Sequence, residues 1–325
     1  MKFLQISGVG RSITVLCFQL TSLILFAQNH EVGVTIHLRG VFESKISLLG
    51  LTGSGTFKPV KEVQAIRIGE ATRLILPLEK LPGEFVLRFD YKEKESSTPY
   101  PSEKYLFIYN QDLELWANPK NVNNPDSTWF QKEERENAAF ANFSMENAKR
   151  KEKLGLLQNF LMNYDDPGSE FYRQGMKEYE QRRQSYNLWL TSMTTQDKGL
   201  FVSSLYHFQH IPETSLDGSE SDRILSLASH YFDGFDFQDS FAIRTSYMNK
   251  WMDGYVNLYG QLSKTVALRD SLFPLAGKTA IEKARKGNPK VYGWMVDYFY
   301  RGYEANGLDV GTKILKPYID DPNCL

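Results

Sequence analysis

Cysteine is almost absent from this chain: Cys17 and Cys324 are two in 325 residues. They cannot form a disulfide framework of the kind that staples small secreted domains. An excess of charge of one sign is missing too. Thirty-eight Lys and Arg face 39 Asp and Glu, for a formal net charge of −1. Without a basic surplus for phosphate backbones, nucleic acid is a poor partner. Long hydrophobic runs are also lacking, apart from "ITVLCFQLTSLILF" at Ile13–Phe26, which Gln19, Thr21 and Ser22 interrupt. That run is too short and broken for a membrane span.

What is there begins with Lys2 and Arg11, the apolar run, and then Ala27-Gln28. A basic start, an apolar centre and a small residue at the break predict a secretory signal peptide over residues 1–27. An uncleaved anchor is the alternative. Lipid attachment at Cys17 is disfavoured because Leu16, not a small residue, precedes it. Cleavage after Ala27 removes Cys17 and two positive charges. The exported chain is then weakly acidic, holds Cys324 alone, and makes no internal disulfide. At 42% hydrophobic and 14% aromatic residues it is globular, with length for about two domains.

From Val32 to about Ala117 the apolar pattern has period two. In "VTIHLRG", Val34, Ile36 and Leu38 oppose Thr35, His37 and Arg39. In "EFVLRFDYK", Phe85, Leu87, Phe89 and Tyr91 oppose Val86, Arg88, Asp90 and Lys92. Such alternation suits antiparallel strands with one wet face. Turn residues separate the runs: Gly50, Gly53 and Gly55, then Gly69, then Pro82-Gly83. The reading is an antiparallel β-sandwich of roughly six to eight strands over residues 28–122.

After the linker-like "NPKNVNNPDS" the period lengthens, and residues 123–325 read as a separate all-helical domain. The fold class expected is therefore α+β. A helix over about residues 128–163 carries Phe140, Phe143, Leu154, Leu157 and Leu161. A second, opened by Asp166-Pro167, carries Met176, Tyr179, Arg183, Tyr186, Leu190 and Met193. Two long antiparallel helices follow from these stripes. Shorter helices are expected at about 199–210 and 222–232, and further ones at 241–262, 266–286, 289–306 and 310–319.

No strong catalytic motif is present, and no catalytic, cofactor-binding or metal-binding residue is assigned. His207 and His210, with His230 beyond, have helical spacing but lack the general-base Glu of a zinc protease motif. "FDGFDFQD" spaces Asp233, Asp236 and Asp239 three apart, which fits helix caps better than a calcium loop. "GLTGSGT" reads as a hairpin turn, since no helix follows it to cradle phosphate. Aromatics crowd the last third. Trp251, Tyr255, Trp294 and Tyr298 are the candidate ligand-facing rings, against the plainer account that rings at helical spacing pack helix on helix.

The order of elements resembles the front of a known family, the exported thioredoxin-like thiol–disulfide oxidoreductases of Bacteroidota. The matching stretches are "GVTIHLRGVFESKISLLGL", "LPGEFVLRFDYKE", "YLFIYNQDLELWANP", "ERENAAFANF" and "HYFDGFDFQDSFAIRTSYMNKWMDGYV". The resemblance implies a sandwich and a helical domain ahead of a thioredoxin fold. The family's chemistry needs a Cys-x-x-Cys pair, one thiolate attacking and the second resolving, and this chain has none. The expectation is a non-catalytic accessory region that positions or dimerises a redox domain, so that the C-terminus reads as a junction. Its partner would be a thioredoxin-like domain or redox protein, with a homodimer as a further possibility. Cys324 is then a residue of the connecting segment or a free thiol. The competing expectation is a stand-alone envelope protein that binds a peptide or glycan in an aromatic-lined helical cleft.

Overall fold

Alternating apolar residues build two four-stranded sheets in the computed structural model, which describes residues 31–324 except 54 and 217. The expected signal peptide, with Cys17, lies outside the described residues. One sheet has the order β4 (Ala71–Leu76), β1 (Val32–Leu38), β7 (Leu113–Ala117), β8 (Trp129–Phe130). The other has the order β3 (Thr56–Arg67), β2 (Glu43–Thr52), β5 (Gly83–Lys92), β6 (Tyr100–Ile108). Val34, Ile36 and Leu38 of β1 meet Ile46 and Leu48 of β2, Phe85, Leu87 and Phe89 of β5, and Leu115 of β7 in a single core. The architecture is α+β, as the change of period implies.

Strand direction differs from expectation at one place. β1 pairs antiparallel with β4 but parallel with β7, in the register Ile36↔Leu115. A parallel neighbour needs a long connection, and here it runs from β2 to β6, crossing to the other sheet twice with β4 between. Period two marks which face a residue occupies and carries nothing about direction. The linker-like segment is also folded onto the sandwich. Val122 is buried in its core, and Trp129 pairs with Trp116 across β7 and β8.

The helices are α1 (Glu136–Met162), α2 (Glu170–Gln196), α3 (Glu220–His230), α4 (Ser246–Leu262), α5 (Val266–Ala284), α6 (Pro289–Ala305) and α7 (Asp309–Ile319). Glu134 sets the start of α1, accepting from the N–H groups of Asn137 and Ala138 at 2.8 Å each. Ser169, rather than Asp166, caps α2, its Oγ accepting from the Tyr172 N–H at 3.1 Å. Residues 201–209 form a 3₁₀ segment instead of an α-helix. The helix expected over 241–262 is broken at Thr245, whose extended backbone separates the 3₁₀ turn Ala242–Arg244 from α4. Along α2 the buried residues are Tyr172, Tyr179, Arg183, Tyr186 and Leu190, which follow the expected stripe.

Candidate functional site: a cavity under the β2–β3 turn

One strand feeds both halves of the molecule. On β6, Leu106 and Ile108 enter the sandwich core, while Phe107 between them enters the helical core beside Phe201. Asn137 of α1 treats Phe107 as a neighbouring strand would. Its Oδ1 accepts from the Phe107 N–H at 2.8 Å and its Nδ2 donates to the Phe107 carbonyl at 2.9 Å. On β5, Val86 was expected on a wet face and is 2% exposed. Sheet alternation alone could not show that helices cover that face.

The same face supplies a helix cap. Glu84 of β5 is buried and accepts from the Ser246 N–H at 2.6 Å and from the Ser246 hydroxyl at 3.1 Å. A carboxylate at the first turn of α4 satisfies a free donor and complements the helix dipole. Burial raises the Glu84 pKa, and the Ser246 bonds oppose that shift. Arg244, just ahead, donates to the Leu81 carbonyl at 2.6 Å. Glu136 plays a similar part elsewhere, accepting from the N–H groups of Phe201 and Val202 at 3.1 and 3.0 Å.

With its start fixed, α4 turns two faces in opposite directions. Met248, Met252, Tyr255 and Tyr259 enter the core. Ser246, Asn249, Lys250, Asp253 and Val256, spaced three and four apart, line a cavity of about 790 Å³. Arg269 and Phe273 of α5, Tyr298, Phe299, Arg301 and Tyr303 of α6, Asn306 and Leu308 just after it, and Gly55 from the β2–β3 turn also line it. The volume lies within the range of small-molecule sites.

Gly55 has φ +97°, and a Cβ there would stand 2.6 Å from Asn249 Nδ2, so only glycine fits. Both amide atoms of Asn249 are out of solvent and have no hydrogen-bond partner. Around them the polar groups are matched. Tyr298 donates to Asp253 at 2.6 Å, Arg301 pairs with Asp297 at 2.8 Å, and Arg269 pairs with Asp270 at 2.8 Å. The Lys250 ammonium lies 5.4 Å from the centre of the Tyr247 ring.

The four candidate aromatics fall in different places. Tyr298 lines the cavity and stacks on Trp294 at 5.3 Å, with 15° between the rings. Trp294 borders a separate groove of about 270 Å³ with Gly50, Gly53 and Arg244. Tyr255 is wholly buried, its hydroxyl donating to the Ala276 carbonyl at 3.3 Å, so it cannot face a ligand. Trp251 packs among Phe208, Tyr231, Phe232 and Phe235. Of the four rings expected, Tyr298 alone lines the cavity, whose other aromatics are Phe273, Phe299 and Tyr303. Its wall mixes polar groups, several of them on the α4 face, with the apolar surface of Val256, Phe273, Phe299 and Leu308. The sequence reading passed over Asn249, Lys250, Asp253, Arg269 and Arg301. The one signal of the three on α4, a polar stripe opposite Met248 and Met252, is the pattern of any solvated helix face.

Cys324 is half-buried against the helical core, and its N–H donates to the Asp321 carbonyl at 2.9 Å. Burial, then Asp321 and Asp297, raise its thiol pKa. His230 pairs with Asp233 at 2.7 Å, while His210 is held below its ordinary pKa by burial and Arg183. Among the described residues no group of three or more His, Cys, Asp or Glu could hold a metal ion, and no helix is long and apolar enough to cross a membrane. Comparison with protein-family models, curated proteins and solved structures found no match to this chain.

Proposed function

We propose that this chain is an exported binding module that holds a small segment of peptide or glycan in the cavity between the β2–β3 turn and helices α4, α5 and α6. The observation that carries this reading is the Asn249 carboxamide. A buried polar group left unpaired costs about 1–3 kcal/mol. No hydrogen bond ties this amide down, and Asn249 is a residue of the cavity wall, so its donor and its acceptor are both free for a ligand. Chemistry is assigned to no residue here: the Ser246 hydroxyl on the wall donates to Glu84, but that carboxylate also takes the Ser246 N–H and so serves as the cap of α4. Thermal unfolding of the wild type and of Asn249→Leu, each with a panel of short peptides and oligosaccharides, tests the reading. Some ligand should stabilise the wild type and leave the variant unmoved. Equal responses of both proteins to every ligand would reject it.

A second reading is favoured by the order of sandwich and then helices, which is the order implied by the resemblance to the exported thioredoxin-like oxidoreductases. Under it the chain serves as the accessory region of such a protein, and the cavity holds a segment of the redox partner. This chain by itself then reduces no disulfide, since one exported thiol cannot both attack and resolve. An insulin-reduction assay with residues 28–325, beside Cys324→Ser, checks this. Turnover that the serine variant loses would overturn it.

A further inference from the structure

We infer that the ligand of the cavity is an uncharged saccharide of about two or three rings; this rests on the binding reading above. The first support is charge compensation. Lys250, Arg269 and Arg301 stand on the wall or rim, as does Asp253, and Asp270 and Asp297 are ion-paired to the two arginines. Three cations meet three carboxylates. An anion would find both arginines already neutralised by an acid and only the Lys250 ammonium left to it, and a cation would have to take Asp253 from the Tyr298 hydroxyl.

The second support is the mixture of donors and acceptors. Asn249 offers both, Asn306 offers both, Asp253 accepts, and each guanidinium keeps N–H donors beyond those its acid uses. A pyranose carries hydroxyls on most of its ring carbons, and each one donates and accepts. A peptide of equal volume offers one N–H and one carbonyl per residue, a sparser match to this wall. Third, the cavity has an apolar side, where Phe273 and Tyr298 stand beside the polar groups. A sugar ring packs its C–H face on such rings while its edge hydroxyls take the polar partners. Tyr298 is braced for that contact by Trp294 behind it.

The test is isothermal titration of the 28–325 chain with maltotriose, cellotriose, tri-N-acetylchitotriose and mannotriose, beside trigalacturonate and triglycine. At least one neutral trisaccharide should bind, with affinity unchanged within about twofold between low salt and about 0.3 M, because no net charge is being neutralised. Asn249→Ala should weaken it about tenfold or more, equivalent to one lost hydrogen-bonding group. The same variant should melt no lower than the wild type, since the amide it removes is unpaired in the free protein. A melting point several degrees lower would mean that the amide is a structural group, and the inference falls. Binding of trigalacturonate or triglycine without any neutral sugar would overturn the saccharide class and leave the binding reading standing. Silence from every probe would reject both.

Discussion

The two cores of this molecule are built from different materials. The sandwich core is aliphatic with three phenylalanines, Phe85, Phe89 and partly buried Phe130, and the one tyrosine packed against it, Tyr91, is only partly buried. The helical core is rich in tyrosine, and nearly every one reaches a partner. Tyr303 donates to the Phe273 carbonyl at 2.6 Å, Tyr231 to the Trp251 carbonyl at 2.6 Å, and Tyr318 to Glu282 at 2.7 Å. Strands satisfy their backbone laterally, so a sheet core needs only area. Helices meet at side chains alone, and a hydroxyl reaching a neighbouring carbonyl fixes how two of them sit. The Tyr303 contact shows the demand this makes, since a Cβ on Gly277 would collide with that hydroxyl. Burial correspondingly raises these phenols, Tyr247 and Tyr318 to about 12.

The comparison breaks most visibly at Phe107, which joins the cores. Phe107→Ala should cost about 3–5 kcal/mol. Hydrogen exchange should then quicken in β5 and β6 together with α4. Loss of protection confined to the helices would show that the sandwich stands by itself.

The buried carboxyls come next. Glu84 and Glu136 have folded pKa values above the ordinary 4.5, chiefly through burial. The folded state therefore binds more protons than the unfolded one in the window above about pH 4.5, and stability falls as pH rises through the raised values. Glu84→Gln, which keeps a carbonyl acceptor for Ser246, should flatten part of that decline. Denaturation midpoints measured from pH 4 to pH 7 check the sign; a decline as steep as that of the wild type would assign the shift elsewhere.

A smaller effect sharpens the contrast in materials. Tyr303→Phe removes a hydroxyl and keeps the ring, and should cost about 0.5–1.5 kcal/mol. Tyr91→Phe, on the partly buried strand tyrosine of the sandwich, should cost less. The smallest effect is expected from cutting the chain at Asn123–Asp126, where four consecutive residues are exposed. Limited proteolysis should nick there first. The halves should still elute together on gel filtration, held by Phe107, Asn137 and the Glu84 cap. Two separate peaks would show that the covalent link was what joined them.

Much of this architecture could be read from the chain. Val34, Ile36 and Leu38, or Phe85, Leu87 and Phe89, announce a strand face by simple alternation, and Tyr179, Tyr186 and Leu190 announce a helix face by their spacing. The turn at Gly53 and Gly55 was legible because positive φ selects glycine. These are local properties, fixed by the period of the backbone and the sterics of single residues. The cavity was not legible. Asn249, Asp253 and Arg301 look like ordinary solvated positions until helices α4 and α6 and the β2–β3 turn converge on them. The break at Thr245 was hidden for the same reason, because the group that caps α4 is Glu84, 162 residues earlier. Sequence by itself determined which residues are apolar at which period, and so the two kinds of element and their order. Tertiary structure alone decided which polar faces were sealed, paired or left open, because hydrogen-bond partners are chosen by proximity in space, and period carries no record of it.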